Sequence, residues 1–256
     1  MTSADSSAAS RVLLLISDLH LSEALPRTVN AFEYFIRVTA RNADSIFILG
    51  DLFEYWIGDD MLALPFARHI MKLMDTLSEH RISLYIMHGN RDFLLGRRFI
   101  ASTGAILLPD PFVITVFGER IVLTHGDILC TADVNYQRFR RISRNTLAQN
   151  LFLTLPLRWR KRISESMRRK SLARPVQSST QYDAIPDALM RLFSSTNTRI
   201  MVHGHTHLPA CHHQHGTARW VLPDWELDHG LQRGGYLRID IDGIHMLPLD
   251  TCVGMT

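Results

Sequence analysis

Five short apolar runs in this chain each end in side chains that carry oxygen or imidazole donors, and this repetition limits the possible folds more than any other feature. Residues 12–16 lead into Asp18 and His20, and 46–49 into Gly50 and Asp51. Residues 83–87 lead into Asn90, 121–124 into His125, and 200–202 into His203 and His205. Apolar runs of this length, bounded by glycine or polar turns, read as buried strands. One acid after one strand is more often a turn residue than a reactive one. Repeated strand ends need a common cause, because open α/β sheets gather their chemistry outside the carboxyl ends of their strands. The donors mix carboxylate, amide and imidazole, with no thiolate. Such a set suits two divalent cations roughly 3.5–4 Å apart, and favours Mn, Fe, Zn or Ni over Ca or Mg alone. Asp51 is the natural bridge between two such ions.

The intervening segments support the same architecture. Residues 26–41 read as a helix with Val29, Phe32, Phe35 and Ile36 on one side. Residues 65–80 read as a second helix, opened by Pro65, and 93–102 as a third. Alternation of strand and helix predicts a largely parallel sheet. Residues 112–117 and 121–124 suggest a hairpin turning at Gly118-Glu119. The pattern then changes. From Tyr136 to Arg174 the chain reads as helical, interrupted at Pro156, before a helix at 185–194. Residues 220–222, 236–241 and 244–249 read as closing strands, the last two joined at Asp242-Gly243.

Charge is segregated. The 256-residue chain has a net charge of +3, yet residues 138–174 hold twelve Lys/Arg and one acid, Glu165. The rest is acidic by eight charges. A basic segment on an acidic body should meet phosphates, an anionic membrane surface or nucleic acid. The three cysteines, Cys130, Cys211 and Cys252, form no Cys-x-x-Cys pair, which fits a reducing cytosolic setting. No run of roughly 18 apolar residues predicts a transmembrane helix. Residues 1–10 lack a basic start and an apolar segment, and read as a floppy tail.

The ordered set D-x-H, G-D, G-N, H-G-D and H-G-H, from Asp18 to His207, resembles the calcineurin-like metallophosphoesterase superfamily. The longer strings SDLHL, GDLFEYWIGDD, HGNRDFLLG, HGDILCTAD and HGHTH resemble one of its subfamilies, the UDP-2,3-diacylglucosamine hydrolases of lipid A biosynthesis. The resemblance implies an α/β fold of two stacked mixed sheets flanked by helices, with a helical cap inserted at about residues 134–180 of a domain spanning 11–256. It implies two Mn²⁺ ions per chain. Asp18, His20, Asp51 and His205 would hold one, and Asp51, Asn90, His125 and His203 the other. The implied substrate is a lipid nucleotide, cleaved at its pyrophosphate to UMP and 2,3-diacylglucosamine 1-phosphate. The implied location is the cytoplasmic face of the bacterial inner membrane, as a peripheral protein. Alternatives are a hydrolase of soluble nucleotides or phosphodiesters, and a non-catalytic scaffold. The scaffold reading expects missing metal ligands, and every ligand position here is filled.

Substrate contacts follow from the same resemblance. Asn90, Arg91 and His203 would meet the phosphates, with Asp51 and Arg91 as the catalytic pair. Many superfamily members carry His after the G-N pair. Arg91 in that place cannot act as a general acid at neutral pH, but its guanidinium can clamp a phosphate bidentately. Asp133 and Ser171 correspond to subfamily substrate contacts. Pro175 and Ser178 stand where the subfamily has Asn and Lys, which leaves those two contacts replaced or shifted.

In the basic segment, Trp159, Ile163 and Met167 recur every four residues and share one helix face. Two readings stand. The stripe packs an ordinary solvated basic helix, or the cap houses acyl chains, with Tyr136 and Phe139 lining the same cavity. No aromatic–basic interleaving suited to base stacking runs through the segment, so no nucleic-acid partner is expected. Asp59 and Asp60 read as a loop outside the metal ligands, His207 as a support for them, and Cys130 as a packed thiol. His212, His213 and His215 read as a solvated turn.

Overall fold

Leu13 and Leu15 turn to one side of the first strand and Leu14 and Ile16 to the other, and both sides are buried. Strand side chains alternate with period two, so a strand with no polar face must be covered on both sides. The same holds for the next strands. Ile46, Ile48, Leu84 and Ile86 face helices, while Phe47, Leu49 and Met87 face a second sheet. The structure, a computed structural model, describes residues 11–172 and 184–249, and of residues 170–172 only the backbone. The expected tail at 1–10, Pro175, Ser178 and Cys252 lie outside the described residues.

The first sheet contains β1 (Leu13–Ile16), β2 (Ser45–Leu49), β3 (Ser83–Met87), β4 (Ile106–Leu108), β10 (Gly235–Asp240) and β11 (Gly243–Pro248), in the order β11-β10-β1-β2-β3-β4. β1 to β4 are parallel, and β10 runs antiparallel to β1. The second sheet contains β5 (Phe112–Val116), β6 (Glu119–Thr124), β7 (Ile200–His203), β8 (Ala210–Gln214) and β9 (Thr217–Val221), in the order β5-β6-β7-β9-β8. Helices α1 (Pro26–Arg37), α2 (Pro65–Glu79) and α3 (Arg97–Thr103) cover the first sheet. Helix α7 (Pro186–Thr196) covers the second with Ala188, Leu192 and Phe193. Between the sheets, Leu15, Leu49, Leu123, Val202, Leu222 and Leu237 are fully buried. Each such side chain contributes about 1.5–3 kcal/mol relative to exposure. The result is the expected pair of stacked mixed sheets flanked by helices.

Between β6 and β7 the chain leaves the sandwich as α4 (Val134–Ser143), α5 (Thr146–Leu153) and α6 (Leu157–Leu172). Neither α4 nor α5 has a buried residue.

Several boundaries differ from expectation, each for a local reason. The helix expected at 26–41 ends at Arg37, and a 3-10 turn, Thr39–Asn42, follows it. The helix expected from 93 begins at Arg97, because Asp59 accepts the backbone N–H groups of Gly96, Arg98 and Phe99 and so caps it there. The first hairpin turns at Phe117-Gly118, one residue early, with both residues at positive φ, as a two-residue turn of this kind requires. The last hairpin likewise turns at Ile241-Asp242, since Asp240 pairs with Gly243. The histidines expected in a turn mostly form a strand: His212 and His213 lie in β8, an edge strand, and only His215 is in the turn to β9. Their polarity hid the strand, and an edge tolerates it because one side of the ladder faces solvent.

Candidate metal centre

The donor residues all leave the sheets at one end, where β1, β2, β3, β6 and β7 give way to loops. Parallel pairing of β1 with β2 and of β6 with β7 brings those loops level. Asp18, His20, Asp51, His205 and His207 are held at φ between 51° and 67°, the left-handed region. Non-glycine residues persist there only when their surroundings fix them, and such strain gathers at functional sites. Two glycines admit the carboxylates. A Cβ on Gly89 would lie 2.1 Å from Asp51 Oδ1, and one on Gly204 would lie 2.1 Å from Asp18 Oδ2. The glycine before Asn90 and the glycine between His203 and His205 are therefore steric requirements.

Asp51 lies between two groups of donors. Its Oδ1 is 3.9 Å from His125 Nε2, and its Oδ2 is 3.9 Å from His20 Nδ1. Asp18, Asp51 and His125 offer ligand atoms that all lie within 4.8 Å of one another, as do Asp18, His20 and His207. Asn90 Oδ1 is 2.9 Å from both His125 Nε2 and His205 Nδ1. His125 donates Nδ1–H to Leu49 O at 2.9 Å and His203 donates Nδ1–H to Gly204 O at 2.8 Å, which leaves each Nε2 as the ligand atom. His205 N donates to Asp18 Oδ2 at 2.8 Å. Asp18, His20, Asp51, Asn90, His125 and His205 are thus brought together, while His203, at the end of β7, has its Nε2 3.4 Å from Arg219 Nη1.

The chemistry of the donors fits a cation. Both ring nitrogens of His20 are buried and have no hydrogen-bond partner among the described residues. Leaving such groups unsatisfied costs about 1–3 kcal/mol each, and positive charge beside them removes that cost. The electrostatics agree. Burial, with the neighbouring Asp92 and Asp18 charges, pushes Asp51 up to about 7. Burial lowers His125, but the Asp51, Asp18 and Asp127 carboxylates more than offset it and raise it to about 9, so this place favours a positive charge, which a cation on Nε2 would supply instead of the proton. Burial and the His125 charge push His205 down to about 3, so it stands neutral and ready to ligate.

Arg91 is at the rim. Its backbone N–H donates to Asp51 Oδ1 at 2.8 Å, and its Nε is 3.7 Å from Asp51 Oδ2. The side chain is 35% exposed, and its Nη1 donates to Glu54. His207 bridges Asp18 (3.4 Å) and Asp224 (3.2 Å), in keeping with a supporting role, although it also stands within reach of an ion at Asp18 and His20. Asp133 caps α4 by accepting Tyr136 N at 2.9 Å. The Tyr136 ring lies 5.9 Å from that of His205, and Phe139 packs on Phe93 at 6.4 Å. Ser171 falls in the last turn of α6, where only the backbone is described. Trp159, Ile163 and Met167 are 51%, 38% and 43% exposed, so the stripe is not core. Cys130 is buried, as expected.

Other residues that shape the centre were not singled out in the sequence. Asp92 accepts Leu52 N at 2.7 Å and Gly89 N at 2.8 Å, which ties the β2 and β3 loops together. Buried Asp127 receives Tyr136 and Arg140 from α4. Arg160, in the midst of the basic run, is buried and donates to Ile57 O and Asp60. The H-G-D triplet pointed toward Asp127. Nothing local marked Arg160, because Ile57 O and Asp60, which it meets across the fold, lie at least a hundred residues away.

Comparison with known proteins places this geometry. Residues 12–209 match the family model for calcineurin-like phosphoesterase. A UDP-2,3-diacylglucosamine hydrolase of Ralstonia nicotianae (strain ATCC BAA-1114 / GMI1000) is 49% identical over 242 residues, covering 91% of this chain and 90% of that one. Proteins of the same name from Ectopseudomonas mendocina (strain ymp) and Pseudomonas entomophila (strain L48) are 39% and 40% identical, each over 93% of this chain. They are covered over 98% and 99% of their own lengths.

Proposed function

This chain belongs to the calcineurin-like phosphoesterase family, and from that premise we infer that it hydrolyses UDP-2,3-diacylglucosamine. It cleaves the pyrophosphate bond and releases UMP and 2,3-diacylglucosamine 1-phosphate. The observation that carries the chemistry is the buried donor set around Asp51, with Arg91 at its open edge. Divalent ions held there would lower the pKa of an attacking water and draw charge from the phosphoryl oxygens. Asp18, His20 and His205 would complete one site with Asp51; Asn90, His125 and His203 would complete the other. We read both ions as Mn²⁺, which suits mixed imidazole and oxygen ligands.

The chain's own groups do the positioning. The planar fork of Arg91 can hold two phosphate oxygens at once, and its backbone bond to Asp51 keeps it in register with the metal ligands. Asn90 and His203 flank the phosphates. Asp133, Tyr136 and Ser171 bind the substrate on the cap side, and Phe139, Ile163 and Met167 meet its acyl chains. Trp159, Ile163 and Met167 are exposed among the exposed side chains of Arg158, Lys161, Arg162, Arg168 and Arg169. Apolar and basic groups together suit a peripheral site on an anionic membrane surface, where each Lys or Arg contributes about 1 kcal/mol. None of the described helices is long and apolar enough to cross a membrane. The same exposed stripe favours the lipid substrate over soluble nucleotides or phosphodiesters.

The test is to strip the protein with a chelator, restore Mn²⁺, and follow UMP from the lipid nucleotide. UMP should vanish with the metal and return with it. Hydrolysis of soluble phosphodiesters without UMP from the lipid nucleotide would favour the alternative.

A further inference from the structure

Glu54 sits in the loop after β2 with a side chain only 6% exposed. A carboxylate is stable in such a place only when paired. Its partners come from separate parts of the chain. Arg91, after β3, donates Nη1 to Oε1, and Arg168, on α6, brings Nε to 3.1 Å from the same oxygen. On the other side, Oε2 lies 3.8 Å from His20 Nδ1. One buried carboxylate therefore holds two guanidiniums together at the rim of the metal centre. Without its charge the two cations would repel each other, and nothing else in this group would keep them adjacent.

The two arginines differ in how they are held. Arg91 is fixed by its backbone bond to Asp51. Arg168 rides on α6, whose described side chains are mostly exposed. Arg160 pins α6 near its start, through Ile57 O and Asp60. The Glu54–Arg168 contact lies two turns further along the same helix. It joins the later part of α6 to the reaction centre.

We propose that Glu54 is a positioning residue that couples the docking of α6 to the phosphate clamp. It holds Arg168 beside Arg91, so that the anion seat is complete only while the helix is down. The proposal rests on the reading of Arg91 as the clamp. Glu54→Gln keeps the shape and removes the charge. Arg168→Ala alters a side chain that is 54% exposed and leaves Arg91 paired with Glu54.

The test pairs hydrogen–deuterium exchange with steady-state kinetics on the Mn²⁺-loaded protein. In each variant, exchange should rise in residues 163–169 and stay at the wild-type level in 157–160. The double variant should show no more than the larger single effect. Metal content should be unchanged. Glu54→Gln should lower kcat/KM for the lipid nucleotide roughly 10–100-fold, the usual range for a group acting through a neighbouring ligand or clamp. The double variant should fall no further, since the two residues form one joint. Losses that multiply, wild-type exchange in Glu54→Gln, or loss of metal would each overturn the proposal. A wild-type protein that yields no UMP would instead refute the hydrolase reading, and the exchange result would still stand or fall by itself.

Discussion

The hydroxyl of Tyr136 donates a 2.6 Å hydrogen bond to Asp127 Oδ2 and thereby ties the first inserted helix to the loop that carries His125. Arg140 adds Nε at 2.8 Å to the same oxygen and reaches toward Asp110 at 3.7 Å. Arg144 donates to Gly89 O at 2.8 Å, one residue from Asn90. Three side chains of one helical stretch thus hold the insertion against the metal centre.

Tyr136→Phe removes only the hydroxyl. Hydrogen bonds to a charged group contribute about 1.5–3 kcal/mol, so chemical denaturation should show a loss of that order. Asp127→Ala should cost more, because it also leaves the half-buried Arg140 without its nearer carboxylate. Equal stability of Tyr136→Phe and wild type would show that the bond contributes nothing.

Arg91→Ala should lose much of the activity and keep its metal. Arg91→Lys should recover only part, since a point charge cannot reproduce the planar fork. Metal analysis decides the matter: loss of metal in Arg91→Ala would make the residue a structural support for Asp51 and not a clamp.

Asp224 predicts an acid-sensitive component of stability. Burial raises its pKa, but hydrogen bonds from His207 and Arg233 outweigh burial and hold the carboxyl near 2. The unfolded chain, with an Asp near 3.9, takes up the proton more readily. The stability from this group is therefore fully present above about pH 4 and is lost as pH falls through about 2, a contribution of about 2 kcal/mol. Unfolding free energies across that window should show the decline in wild type, and Asp224→Asn should flatten this part of it. An unchanged decline in the variant would assign the acid sensitivity elsewhere.

Much of this was legible in the chain itself. β1, β2, β3 and β7 combine apolar runs with donors at their ends, and strand periodicity plus a glycine turn is local information. The seven candidate ligands were readable for the same reason. What was not readable depends on distant partners. Arg160 looked like one more solvated cation and is buried because Asp60 and Ile57 O wait for it. Asp59 looked like a loop acid and caps α3. The period of Trp159, Ile163 and Met167 showed a shared face, but only the position of α6 decides that the face is exposed. β8 was missed because an edge strand of histidines lacks the apolar pattern by which strands are recognised.

That exposure sharpens the expectation for the α6 stripe. Replacing Ile163 and Met167 together by Ser should change unfolding stability little, since surface substitutions usually stay within about 0.5 kcal/mol each. Cleavage of the diacylated substrate should nonetheless fall strongly, and hydrolysis of a small soluble phosphodiester should hold. If both activities fell in proportion to lost stability, the stripe would be packing and not a lipid contact.

The most direct measurement sets UDP-2,3-diacylglucosamine beside a soluble UDP-sugar, each with purified protein and Mn²⁺, and follows UMP. The account predicts rapid UMP release from the lipid nucleotide, little from the soluble one, and none from either with Asp51→Ala, which should also bind less metal. UMP release that ignores the acyl chains, or Asp51→Ala activity near wild type, would contradict it.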